Sequence, residues 1–169
     1  LVTPEQSAAI ISALKREIKV PIDFHTHCTP GYGLASTLTA IVNGVDIVDT
    51  AIWNFAGGPA APAFELIQIF CDKMGIDTGV NLKAVASINA ELKTIRTELK
   101  ELDTYELPID FDITSYNLPA RIDNLFEQAI LFAQSGKYDA LLDACQAIER
   151  YFNFPEPDEN VKNAEIPGG

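Results

Sequence analysis

Val20-Pro21-Ile22-Asp23-Phe24-His25-Thr26-His27 is apolar at alternate positions through Phe24 and then carries the only two histidines of the chain. Alternation of this kind is the period of a β-strand, and Pro21 is tolerable only at the start of one. Alternate strand residues point to the same face, so His25 and His27 project together, as two metal ligands would. Cys28-Thr29-Pro30-Gly31-Tyr32-Gly33 follows, and its Pro and Gly residues stop the strand and turn the chain. The histidines thus stand at the strand's carboxyl end, which carries the ligand site in parallel α/β folds. The spacing predicts half of a divalent-metal site. The alternative is a pair of imidazoles that merely hydrogen-bond at a strand tip.

The flanking sequence repeats the strand and helix alternation. Thr3-Pro4-Glu5-Gln6 reads as a helix start, with Thr3 as N-cap, Pro4 at the first helical position and Gln6 completing a capping box. Ile10, Ile11, Leu14 and Ile18 form its expected apolar face. A helix over roughly Leu34 to Asn43 ends at Gly44 and leads into Val45-Asp46-Ile47-Val48-Asp49-Thr50-Ala51-Ile52, a buried parallel strand by its β-branched content. Ala63 to Met74 restores a helical pattern. The order αβαβα implies parallel strands joined by crossover helices.

Beyond Gly75 no further strand is convincing. Asn81 can cap a long helix with Val85, Ile88, Leu92, Ile95, Leu99 and Leu102 in steps of three and four, a heptad-like stripe read as packing on the domain in preference to a coiled coil. Lys and Arg residues of 93 to 100 alternate with Glu98 and Glu101, as on a solvated face. Residues 103 to 118 read as an irregular connection. Two more helices are expected near Pro119 to Gln134 and Lys137 to Phe152, with the aromatics from Phe126 to Phe154 in the core. The tail from Pro155 reads as extended as far as Ile166-Pro167-Gly168-Gly169.

Composition bounds the function. The 169 residues suffice for one domain with a real core, and 47% hydrophobic content agrees. A net charge of -12 without a basic patch argues against nucleic acid. Cys28, Cys71 and Cys145 are odd in number and widely spaced, which favours reduced thiols in a cytoplasmic setting. No apolar run approaches the ~20 residues of a membrane span. Gly31-Tyr32-Gly33 before a helix invites a dinucleotide reading, but Ser36 stands where the third glycine belongs, and a turn requiring positive φ is the ordinary explanation. Cys28 would face away from both histidines and is read as a packed thiol. Asp46 and Asp49, three apart on a strand, point to opposite faces, and at least one is expected to bond a loop or cap a helix.

Two parallel strands leave open edges and uncovered apolar faces. The expectation is therefore the C-terminal part of a longer protein, or else a small domain that completes its sheet by association.

Pro21-Ile22-Asp23-Phe24-His25-Thr26-His27-Cys28-Thr29-Pro30-Gly31 together with Gly44-Val45-Asp46-Ile47-Val48-Asp49-Thr50-Ala51 resembles the seventh and eighth strands of the biotin-dependent carboxyltransferase barrel. That family includes the oxaloacetate decarboxylase α subunit, the pyruvate carboxylase carboxyltransferase domain and the central subunit of transcarboxylase. Asp77-Thr78-Gly79-Val80-Asn81-Leu82 and Glu165-Ile166-Pro167-Gly168-Gly169 are similar to its post-barrel helical region. The resemblance implies an α/β fold, the C-terminal fragment of a TIM (β/α)8 barrel (last two strands) followed by an α-helical extension. Residues 1–78 would be the last βα units and 79–169 the helical carboxylase region.

It also implies that His25 and His27 ligate a divalent metal (zinc, manganese or cobalt) that stabilises the enolate of a 2-oxo acid such as pyruvate or oxaloacetate, while carboxyl moves to or from biotin. The implied partners are a biotin carboxyl carrier domain or subunit, a small 2-oxo acid and further copies of the chain in a homo-oligomer. In the family an aspartate on the first strand and a carbamylated lysine on a middle strand complete the site, and neither has a counterpart here. No residue beyond the two ligands is assigned a catalytic role. Isopropylmalate-synthase-like enzymes resemble the same segment but follow the second histidine with Asn-Asp, where Cys28-Thr29 stands here. The lyase that cleaves hydroxymethylglutaryl-CoA places a catalytic cysteine after a Gly-Gly pair, and here Pro59 follows Gly57-Gly58. Trp53-Asn54-Phe55-Ala56-Gly57-Gly58-Pro59 also departs from the Ser/Thr-rich loop common in carboxyltransferases.

Overall fold

The computed structural model describes residues 2–162. The expectations for Glu165 to Gly169 lie outside the described residues. Helix α1 (Pro4–Glu17) begins at Thr3, whose hydroxyl accepts from the Gln6 N–H while the Gln6 side chain accepts from the Thr3 N–H, the reciprocal box that the sequence predicts. Strand β1 (Asp23–Phe24) pairs in parallel with β2 (Ile47–Val48), with Asp23 opposite Ile47 and Phe24 opposite Val48. Helix α2 (Gly33–Val42) connects them, and α3 (Phe64–Met74) follows a loop that opens with a 3-10 turn at Trp53–Phe55.

These elements place the site through two apolar clusters. Ile22, just before β1, and Phe24 on its inner face pack with Ile11 of α1 and Ala40 of α2. The larger cluster joins Leu34 and Leu38 of α2 and Phe70 of α3 to Phe126 and Leu141, residues from both sides of position 78. Phe126 belongs to α5 (Ala120–Ser135) and Leu141 to α6 (Tyr138–Tyr151), a helical pair that packs on α2. Trp53 is almost fully buried in it, stacked on Phe111 and met edge-on by Phe152 and Phe154. The aromatic residues expected in the core are mostly there, although Tyr151 is exposed.

The structure corrects the sequence reading at four places. The ladder is shorter than expected on both strands, and β2 is not buried, with Ile47 51% exposed, because among the described residues only β1 pairs with it along the sheet. Helix α4 (Leu82–Glu98) is capped by Asn81 as predicted, but it packs through Val85, Asn89 and Arg96. Polar bonds select that face: Asn89 accepts from the Asn54 N–H and side-chain amide, and Arg96 donates to the Asn54 carbonyl. Ile88, Ile95, Leu99 and Leu102 of the stripe therefore remain exposed. Leu99 and Leu102 line an open pocket of about 360 Å³ with Phe55 and Tyr105. Arg96 is no solvated charge, since its guanidinium also binds the Asp103 carboxylate and the Glu106 carbonyl. Finally, the tail is extended only to Asp158, after which α7 (Glu159–Lys162) forms. Among the described residues no helix is long and apolar enough to cross a membrane.

Candidate metal centre

Both histidines follow β1, and the burial of this stretch keeps period two. Ile22, Phe24, Thr26 and Cys28 are buried, while Asp23, His25 and His27 are exposed on the other side. This alternation puts both imidazoles on one face, as the sequence predicts. Their Nε2 atoms stand 3.0 Å apart, with the rings edge to face and their centroids at 4.9 Å.

The outer nitrogens settle the tautomers. His25 Nδ1 lies 2.8 Å from Asp49 Oδ2, and His27 Nδ1 lies 2.7 Å from the Pro59 carbonyl oxygen. A carboxylate and a carbonyl can only accept, so each Nδ1 carries the proton that it donates. In the neutral rings both Nε2 atoms then present lone pairs to each other. Two lone pairs at that distance repel unless a cation or a shared proton lies between them. Metal to imidazole bonds of about 2.1 Å reach one common ion from nitrogens so spaced. The donor set thus fits a divalent metal, and the partners of Nδ1 are the carboxylate and carbonyl that orient metal-bound histidines generally.

Asp49 is the residue that the sequence reading missed as part of the site. It follows the Phe24 to Val48 pair, and its N–H donates to the Phe24 carbonyl, which brings its carboxylate beside His25. Strand register is the signal that would have found it. Asp46 has the bonding role expected of one of the pair: it accepts from the Ile22 N–H at 2.9 Å and from Lys15 at 3.0 Å. The Ile22 hydrogen bond, then that of Lys15, holds its carboxyl below the usual range.

Cys28 faces inward, away from the imidazoles, as predicted for a packed thiol. Burial, followed by the charge of Glu149, pushes this thiol well above its ordinary value, and its S–H bonds Glu149. The loop after β2 is held at its start by Glu65, a buried carboxyl that accepts from the Trp53 N–H at 3.0 Å and is pushed up to about 7 by desolvation. It is held at its end by the Cys28 N–H, which donates to the Ala60 carbonyl at 2.9 Å. Pro59 is thereby fixed against His27. Among the described residues no group of three or more His, Cys, Asp or Glu side chains could hold a metal.

The fold agrees with the comparisons. The chain belongs to the HMGL-like family, whose model matches residues 1–92. It is 30% identical over 157 residues to a pyruvate carboxylase subunit of Methanocaldococcus jannaschii, covering 92% of this chain and 28% of that protein. The carboxyl transferase domain of Rhizobium etli pyruvate carboxylase, solved with oxalate, superposes with a TM-score of 0.55 at 25% identity, over 87% of this chain and 25% of that one. A 4-hydroxy-2-oxovalerate aldolase of Chloroflexus aurantiacus is 33% identical over 79 residues, covering 47% of this chain and 23% of the aldolase. The carboxyltransferase resemblance read from the histidine segment is thus borne out at the level of the family and its relatives. The chain spans about a quarter of the length of the relatives that it matches most fully.

Proposed function

We propose that this chain is the part of a biotin-dependent carboxyltransferase in which His25 and His27 hold a divalent metal (zinc, manganese or cobalt) beside a small 2-oxo acid. The observation that carries this reading is the facing of the two Nε2 atoms at 3.0 Å, each ring tied by Nδ1 to an acceptor. Bound there, a divalent ion supplies Lewis acidity toward the charge that develops on the 2-oxo acid as carboxyl leaves or arrives. The chain's own contribution is orientation. Asp49 and the Pro59 carbonyl fix the two rings, and the alternation of faces along the chain brings them together.

The reach of the relatives favours carboxyl transfer over aldol cleavage. The aldolase covers less than half of this chain, whereas the carboxylase relative covers nearly all of it. The Rhizobium domain was solved with oxalate, a dicarboxylate whose paired oxygens resemble those of a 2-oxo acid. With this reading go a carboxylated biotin on a carrier domain or subunit, pyruvate or oxaloacetate as substrate, a homo-oligomer in the cytoplasm, and the strands as the last two of a barrel in residues 1–78, with 79–169 the helical region. A second reading, favoured by the exposed Ile88, Ile95 and Leu102 of the α4 stripe, makes the helices after Gly75 a docking surface for other subunits.

Calorimetric titration of the 169-residue chain with zinc tests the site. Two imidazoles fall short of a four-ligand set, so the expected affinity is micromolar or weaker, and His27→Ala removes the heat of binding. Nanomolar affinity, or binding that survives the substitution, overturns the assignment. In the carboxylase that contains this segment, His27→Ala is expected to abolish biotin-dependent decarboxylation of oxaloacetate and leave the fold intact.

A further inference from the structure

We infer that Phe154–Asp158 is a strap that positions the imidazole pair, with Pro155 and Pro157 as its positioning residues; this rests on His25 and His27 being metal ligands. His27 lies between two loops. One, Cys28 to Gly31, follows it directly, and the other, Gly57 to Ala60, carries the Pro59 carbonyl that orients its ring. The loops touch each other through the Cys28 N–H to Ala60 bond and a long Thr29 hydroxyl to Gly58 carbonyl contact at 3.4 Å.

The segment that leaves α6 crosses both loops, and each contact has a glycine beneath it. A Cβ on Gly57 would stand 2.8 Å from Phe154 Cδ1, one on Gly58 2.9 Å from the Pro155 ring, and one on Gly31 2.5 Å from Pro157 Cγ. Gly31 also has φ +80°, where L side chains are strained. The Asp158 N–H then donates to the Thr29 carbonyl at 2.8 Å. Three strap residues therefore lie in van der Waals contact with three glycines, and the strap's backbone bonds the first loop.

The Phe154 end of the strap is anchored away from the imidazoles. Phe154 is buried against Trp53, and its N–H donates to the Glu149 carbonyl at 3.0 Å. The Asp158 carboxylate accepts from the Asn160 N–H at 2.9 Å at the start of α7. Two prolines between Phe154 and the Asp158 bond to Thr29 restrict φ and lower the entropy lost in holding the segment in place. Pressed from outside, the loops keep the Pro59 carbonyl within reach of His27 Nδ1. Pro155 lies against Gly58 and Pro157 against Gly31, so their effect on a metal passes through the loops.

The test is the double variant Pro155→Gly/Pro157→Gly of the 169-residue chain, with Pro157→Ala as a milder second variant should the first not fold. Two readouts are taken beside far-UV circular dichroism. Cobalt(II) titration followed by visible absorption reports affinity and ligand geometry, and hydrogen exchange of the Cys28 amide reports whether the two loops remain joined. The expected result is parent-like helicity, cobalt affinity lowered 10–100-fold with altered visible bands, and Cys28 exchange at least about tenfold faster. Parent-like cobalt spectra, affinity and Cys28 exchange overturn the strap. A parent that binds no cobalt overturns the ligand reading instead, and the strap is then decided by Cys28 exchange alone, faster exchange supporting it and unchanged exchange overturning it.

Discussion

The Asp49 carboxylate and the His25 imidazole meet at 2.8 Å just past the last ladder pair of the sheet, so the register of two short strands decides which nitrogen of His25 is free. With Nδ1 donating to the carboxylate, Nε2 is the only lone pair that a neutral ring can offer.

Removing that carboxylate should loosen the ring without touching a ligand. Asp49→Ala is expected to weaken zinc or cobalt binding about 10–100-fold, the usual effect of losing a group that orients a metal-bound histidine. Asp49→Asn, whose amide oxygen still accepts from Nδ1, should lose less. Competition against a chromophoric chelator measures both, and equal affinities in all three proteins would show that Asp49 does not orient His25.

Stability should fall as pH rises from 5 toward 8. Burial pushes the Glu149 carboxyl up to about 8 and that of Glu65 up to about 7, from an ordinary 4.5. Between 4.5 and those values the folded chain holds protons that the unfolded chain has released. The stability they contribute is therefore complete at the acid end of the window and lost as pH climbs through it. Urea denaturation at a series of pH values checks this, with Glu149→Gln expected to flatten the slope.

Helix α4 should respond on one side only. Val85→Ala removes buried methyl surface and is expected to cost about 1.5 kcal/mol. Ile95→Ala on the exposed side, and Leu102→Ala in the exposed turn after the helix, should change stability by no more than about 0.5 kcal/mol. Chemical denaturation of the three variants separates this arrangement from one in which the heptad stripe is buried.

Arg96→Ala should be the costliest of the polar substitutions on α4. Its guanidinium joins Asn54, Asp103 and Glu106, and losing hydrogen bonds from a charged donor costs about 1.5–3 kcal/mol. Thermal unfolding of Arg96→Ala beside Lys93→Ala, whose partner Asp110 is exposed, gives the comparison, with a near-neutral result expected for the lysine.

What was legible in the sequence was local. The Thr3 and Gln6 box needs only a span of four residues, and the shared face of His25 and His27 needs only period two. Asp49 was not legible as a partner of His25, because the pairing that brings them together spans 24 residues and depends on register. The Pro59 carbonyl was invisible for another reason, since a backbone acceptor has no letter of its own. On α4 the stripe of larger apolar residues suggested the buried face, but Asn89 and Arg96 found polar partners in distant loops and turned the helix toward them. The exposure of Ile47 went against its β-branched surroundings, which report strand preference alone, and agreed with the open edges and uncovered faces that a count of only two strands implies.

The anchoring of His27 by a main-chain oxygen has a consequence for variation at position 59. Any residue there brings the same acceptor, so its side chain can be exchanged for a thiol, a hydroxyl or a ring without changing how the imidazole is held. A loop built in this way separates the grip on the ligand from the chemistry displayed beside it, and new reactivity can be tried at one position while the site's geometry is inherited unchanged.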